Sequence, residues 1–192
     1  MTGISLDTAA ARARLVEIVK ARSFQEGPEM RLASGKTSTI YFNMKPTMLD
    51  SEGAFLIASL ILDQLDGIEA DLIGGLEMGA VPIASSVATL AHTRGRKLPA
   101  FFVRKQAKEH GTKSLIEGLG RDETIAGKRV IIVEDVTTTG GSSIKAADAV
   151  RQAGGTVVRV ITVVDRLDGA AEAFAAAEYP FSALLTRSDF KR

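Results

Sequence analysis

"RVIIVEDVTTTGGSSIKAADAVRQAGGTVVRVITVVDR", residues 129–166, decides the fold. It opens on a β-branched run, "RVIIVED" (129–135), which ends in two adjacent carboxylates, Glu134 and Asp135. A loop of threonine, glycine and serine follows. "GSSIKAADAVRQAG" (141–154) reads as a helix stopped by glycine, and "TVVRVITVVDR" (156–166) as the next strand. The Val/Ile runs are near-continuous rather than alternating, which marks strands covered on both faces. Strand, helix, strand of this kind is a parallel crossover unit.

The same alternation extends upstream. "ADLIGGL" (70–76) is a strand running into a glycine turn, and 79–95 is helical, with Pro82 tolerated in the first turn. "LPAFFVR" (98–104) is a further strand. The chain begins with an amphipathic helix over 7–22, with Asp7 as its cap and Leu15, Ile18 and Val19 on one face. A hairpin follows over 30–45 around Ser34-Gly35-Lys36, and a helix opens at Asp50 or Ser51. "AAEAFAAAEYPFSALLTRSDFKR" at the end reads as helix, strand and helix, with no chemistry assigned to it. The expectation is an α/β domain with a central, mostly parallel sheet, whose ligands bind beyond the carboxyl ends of the strands. Residues 104–127 interrupt it as a long polar insert, of a length that is usually functional or disordered.

The 192 residues suffice for one domain with a real core. A net charge of +1 provides no global field toward nucleic acid or membrane, so neither is expected as a partner. The absence of cysteine excludes disulfides and thiolate chemistry and fits a reducing cytoplasm. "AFLIASLIL" (54–62), the longest apolar stretch, is far too short to span a bilayer, and the N-terminus carries no continuous signal core.

"TTTGGSS" sits between a strand end and a helix start. Small residues there allow close backbone approach, and free N–H groups with hydroxyls suit a phosphate. A glycine turn with a serine cap is the plainer alternative. The acid pair beside it changes the balance, because carboxylates at the mouth of an anion site need a partner. Sugar hydroxyls, which donate hydrogen bonds, would serve, and so would a metal carried by the ligand. Neither GxxxxGK[ST] nor GxGxxG occurs. "RKQAKEHG" (104–111) gathers Arg104, Lys105, Lys108 and His110 at another strand end, either as a solvated charged loop or as a cationic clamp for pyrophosphate. Arg166 ends the last long strand, where its guanidinium suits a planar carboxylate or a pair with Asp165 or Asp168.

This order of apolar strand, two acids, Thr/Gly/Ser loop and helix resembles the phosphoribosyl pyrophosphate (PRPP) signature of type I phosphoribosyltransferases. The resemblance covers about residues 25–170 in scattered motifs and implies that family's fold. It implies an N-terminal hood over 1–50, a core over 51–192, and a mobile lid at 104–118. It also implies that Glu134 and Asp135 hold the ribose hydroxyls, while Thr138, Thr139, Gly140, Gly141 and Ser142 hold the 5-phosphate and Val136 and Thr137 belong to the PRPP-binding stretch. The R-K-x-x-K-x-H pattern followed by glycine is similar to the catalytic loop of orotate phosphoribosyltransferases. Carried over, Arg104, Lys105, Lys108 and His110 bind PRPP and act in catalysis, across a homodimer interface. Arg166, with Thr138, binds orotate. Tyr41 and Phe42, in "SGKTSTIYFN", either flank the base or pack as strand residues. Mg2+ rides on PRPP, with no ligand directly from the protein. Products are orotidine 5'-monophosphate and pyrophosphate.

There are departures. The lysine that precedes the Ser-Gly turn in that family is Ala33 here, and Glu134 stands where many relatives have Asp. "GGLEMGAVP" lacks the lysine often found in the pyrophosphate turn and carries Glu77, leaving backbone N–H groups of Gly74 to Gly79 for that task. Two rivals stand: a phosphoribosyltransferase for another base, and a non-catalytic PRPP-binding regulator on the same fold. The N-terminal hood and Arg166 favour orotate over other bases, and a regulator has no need of the basic lid.

Overall fold

The computed structural model describes residues 7–31, 37–106 and 115–190. Helix α1 (Thr8–Arg22) is capped by Asp7, whose carboxylate accepts the N–H groups of Ala9 and Ala10 at 3.0 and 3.4 Å. It buries Leu15, Ile18 and Val19, the face expected from their spacing. Strands β1 (Phe24–Arg31) and β2 (Thr37–Phe42) form an antiparallel hairpin. The hairpin starts earlier than its sequence suggests, because Phe24 pairs with Phe42 and the register shifts between Glu26 and Met30, where Gly27 and Pro28 interrupt the ladder. The Ser34-Gly35-Lys36 turn lies outside the described residues.

A short helix, α2 (Lys45–Met48), precedes α3 (Ser51–Gln64), which Asp50 caps through the Gly53 N–H at 3.0 Å. Then come β3 (Leu72–Gly74), α4 (Ala80–Thr93), β4 (Phe102–Val103), β5 (Ile116–Glu117), β6 (Arg129–Thr137), α5 (Gly141–Gln152), β7 (Thr156–Asp165), α6 (Ala170–Ala176) and β8 (Phe181–Thr186). The chain closes on a 3-10 turn, Arg187–Phe190, where a helix was expected.

Strands β3, β6, β7 and β8 lie in that order and are all parallel. Strand β4 continues the sheet beyond β3, since Phe101 N–H donates to the Ile73 carbonyl at 2.9 Å and Val103 N–H to that of Gly75 at 2.8 Å. Both faces are covered, as the unbroken Val/Ile runs require. Ile131, Val133, Ile161 and Val163 pack with α1, α3 and α4, while Val130, Ile132 and Val160 pack with α5 and Phe174 of α6. The expected α/β architecture is therefore present. Within the polar insert, β5 pairs antiparallel with β4, setting Phe102 opposite Glu117.

The terminal segment holds the N-terminal elements to the core. Phe190 packs against Phe24 and Phe42, with ring centroids 5.5 and 5.0 Å apart, and Arg12 of α1 reaches Asp189 at 2.7 Å. Phe42 is thus a buried core residue, as the strand-packing alternative has it; Tyr41, beside it on the strand, is exposed.

Candidate active site

At the carboxyl end of β6 the chain turns through Thr138, Thr139 and Gly140 into α5. Gly140 has φ +82°, and a Cβ there would lie 3.1 Å from the Phe174 ring, so both backbone and space demand glycine. No side chain caps α5. Its first N–H groups therefore remain available beside a cleft of about 200 Å³, lined by Glu134, Val136 to Gly141, Ser142 and Ser143. Thr137 is buried in that lining, and its Oγ1 has no hydrogen-bond partner among the described residues.

The two acids differ in their surroundings. Glu134 is 7% exposed, and its carboxyl group accepts from Ser143 Oγ at 3.2 Å and from the Asp135 N–H at 3.3 Å. Burial, and next the neighbouring Asp135 carboxylate, push the Glu134 carboxyl up to about 8. Asp135 is half-buried and faces the β3–α4 turn. A Cβ placed on Gly79 would lie 2.7 Å from Asp135 Oδ1, so only glycine permits this approach. Ser143, outside the residues assigned from the signature, supports Glu134 from the first turn of α5. Its signal in the sequence is the doubled serine after the glycine pair.

The raised Glu134 group sets a sign for stability. Between about 4.5, its ordinary value, and about 8, the folded protein holds a proton that the unfolded chain has lost. Stability therefore falls as pH rises through that window. Glu134→Gln, which keeps the shape without the ionisation, should flatten this component and raise the melting temperature relative to wild type at pH 8. Thermal melts from pH 5 to 8 check it, and a variant with an unchanged slope would place the titration elsewhere.

Two other strand ends lie at the same edge of the sheet. Arg166, directly after β7, donates its N–H to the Thr137 carbonyl at 3.0 Å. Its side chain is 4% exposed and forms an ion pair with Asp168 at 3.3 Å, and Asp168 also faces Arg187 at 3.5 Å. The Arg–Asp pairing read from the sequence as an alternative is thus present, but buried rather than on the surface. Arg104, after β4, is held by its N–H to the Leu115 carbonyl at 2.8 Å and lies 4.0 Å from Glu117. Lys105 is exposed. The fold therefore brings the strand ends bearing Arg104, Lys105, Glu134, Asp135, Val136, Thr137, Thr138, Thr139, Gly140, Gly141, Ser142 and Arg166 to one edge of the sheet. Lys108 and His110 lie outside the described residues.

A phosphoribosyl transferase domain model matches residues 47–177, from α2 to the end of α6. It leaves out the N-terminal helix and hairpin and the last strand. An orotate phosphoribosyltransferase of Rhodopseudomonas palustris is 57% identical over 185 residues, 96% of this chain and 98% of the relative. This chain belongs to the orotate phosphoribosyltransferase family. The orotate phosphoribosyltransferase of Mycobacterium tuberculosis, solved in complex with 5-phospho-alpha-D-ribosyl 1-diphosphate, superposes with a TM-score of 0.76 at 36% identity, covering 93% of this chain and 98% of that one. An adenine phosphoribosyl transferase from Trypanosoma brucei shares the fold, with a TM-score of 0.66 at 15% identity and coverage of 94% and 81%. The matches to orotate phosphoribosyltransferases run through the segments outside the general domain model, so the N-terminal hairpin and the C-terminal strand belong to the family likeness as well.

Proposed function

We propose that this enzyme transfers the 5-phosphoribosyl group of PRPP to N1 of orotate, giving orotidine 5'-monophosphate and pyrophosphate in pyrimidine biosynthesis. One observation carries the site-level reading: a single strand-to-helix passage presents two adjacent acids, an uncapped helix start and an unsatisfied buried hydroxyl, with the backbone N–H of Arg166 hydrogen-bonded to its middle. PRPP has matching parts, hydroxyls in the ribose and an anion at the 5-position.

The sugar C1–O bond breaks as pyrophosphate leaves, and charge builds on the ribose ring before orotate N1 bonds to C1. No covalent enzyme intermediate is required. The protein's contribution is placement and charge stabilisation. Asp135 and Glu134 accept from the ribose hydroxyls. Residues 136 to 142 bind the 5-phosphate through N–H groups and hydroxyls. Thr138 and Arg166 hold orotate, with the guanidinium taking its carboxylate. Arg104, Lys105, Lys108 and His110 neutralise the leaving pyrophosphate, and His110 or Lys108 supplies it with a proton. Residues 104–118 act as a lid that keeps water from the sugar cation.

Mg2+ supplies charge neutralisation on the pyrophosphate when it is bound. Among the described residues no group of three or more His, Asp or Glu side chains could hold a metal. We read the ion as carried by PRPP, with no ligand directly from the protein. We read the enzyme as cytoplasmic, on its cysteine-free composition, and as a homodimer with a hood over residues 1–50.

The direct test is loss of orotate absorbance with PRPP and Mg2+, with hypoxanthine, adenine and uracil as alternative bases. Turnover of one of those and not orotate would overturn the reading. Arg166→Ala should raise the KM for orotate about tenfold or more while changing that for PRPP about twofold at most, because a hydrogen bond to a charged group contributes about 1.5–3 kcal/mol. Equal effects on both substrates would make Arg166 a structural partner of Asp168 only.

A further inference from the structure

Glu77 is the residue that sequence comparison left without a task, an acid in a turn expected to meet pyrophosphate. The structure gives its carboxylate a partner: Glu77 Oε1 accepts the Lys105 N–H at 2.9 Å. On the other side of the same residue, Lys145 Nζ donates to the Lys105 carbonyl at 2.9 Å. Strand β4 ends at Val103, so beyond it the sheet no longer supplies Lys105 with backbone partners. Two side chains take over, one from the β3–α4 turn and one from α5. Helix α5 borders the candidate cleft at its uncapped start, and the turn faces Asp135 at Gly79, next in sequence to Glu134 and Val136 of the cleft lining.

We infer that Glu77 and Lys145 are positioning residues for the transfer reaction: they hold the Lys105 backbone at its N–H and at its carbonyl and so fix the place from which the Lys105 side chain presents its charge to pyrophosphate. The inference rests on the proposed role of Lys105. Glu77 itself is tied down, its N–H donating to the Val103 carbonyl at 2.8 Å, so the acceptor is carried on a backbone already fixed to β4. A carboxylate near pyrophosphate opposes binding by its charge. Here it serves through a hydrogen bond, which an amide oxygen can also accept.

That difference supplies the test, on the full chain with all variants checked for wild-type melting. Glu77→Ala and Lys145→Met should each lower kcat about five- to tenfold, the scale of one lost hydrogen bond, with the KM for orotate unchanged. Glu77→Gln, which keeps the acceptor, should stay within about twofold of wild type. In a Lys105→Ala background, Glu77→Ala should have almost no further effect, because both changes remove one device. Trypsin should cut the Lys105–Gln106 bond several-fold faster in Glu77→Ala than in wild type, a readout independent of turnover. The inference is overturned if Glu77→Gln loses as much as Glu77→Ala, or if the Glu77→Ala loss persists undiminished in the Lys105→Ala background. Full activity of Lys105→Ala itself would overturn the pyrophosphate role of Lys105 and this inference with it. A damaged Lys105→Ala alongside fully active Glu77→Ala and Lys145→Met overturns the inference alone.

Discussion

Asp135→Asn is expected to fold like the wild type and to bind PRPP roughly 10- to 100-fold more weakly. The side chain is half-buried, its Oδ1 accepts the Val136 N–H at 2.8 Å, and the carboxylate lies against Gly79. A carboxylate only accepts hydrogen bonds, and ribose hydroxyls are donors that match it. The amide keeps the size but turns one acceptor into a donor pair, which leaves a mismatch of about 1–3 kcal/mol, with each tenfold in affinity equal to about 1.4 kcal/mol. Glu134 is placed differently. It is buried, hydrogen-bonded to Ser143 and raised in pKa, whereas Asp135 is the half-buried acid of the pair that faces the turn. Calorimetric titration with PRPP is the check. Wild-type affinity in Asp135→Asn would remove the carboxylate pair from the ribose and leave only the phosphate loop in the reading.

The β6–α5 passage was legible in the sequence because its determinants are local. A β-branched run, a glycine that must adopt positive φ and an uncapped helix start all lie within a few residues of one another. Other features depend on partners far away in the chain. Phe42 looks the same in sequence whether it covers a base or fills the core, and Phe24 and Phe190 decide for the core. The terminal segment carries no motif, yet it supplies the edge strand β8 and the ring that holds the N-terminal hairpin. Helix α2 and strand β5 are too short for any periodicity to show. Glu77 read as a defect in a pyrophosphate turn, because nothing near it in sequence reveals that Lys105 stands 2.9 Å away. The Arg166–Asp168 pair was anticipated as one of two alternatives. Its burial, and the second arginine from the chain's end that shares Asp168, required the assembled sheet.

Mixing two inactive variants, Lys108→Ala and Asp135→Asn, is expected to restore about a quarter of wild-type activity once subunits exchange. Lys108 lies on the basic segment that joins Arg104 and Lys105 to β5, and Asp135 is the acid proposed to hold the ribose. In a symmetric dimer a segment springing from the sheet edge can serve the neighbouring subunit's cleft as readily as its own. If it acts across the interface, a mixed dimer has one site with both lesions and one with neither. Random exchange makes half the dimers mixed, so about one site in four is intact by symmetry counting. If the segment serves its own subunit, every site in the mixed dimer carries one lesion, and activity stays at the level of the parents. Native mass spectrometry of isotopically labelled subunits establishes that exchange has occurred, and the PRPP- and orotate-dependent assay reads the outcome. Parental activity with exchange complete would place Lys108 in its own subunit's site. The catalytic assignment of Arg104, Lys105 and Lys108 would stand unchanged, since their pairing with pyrophosphate depends on charge and reach and not on which subunit supplies them.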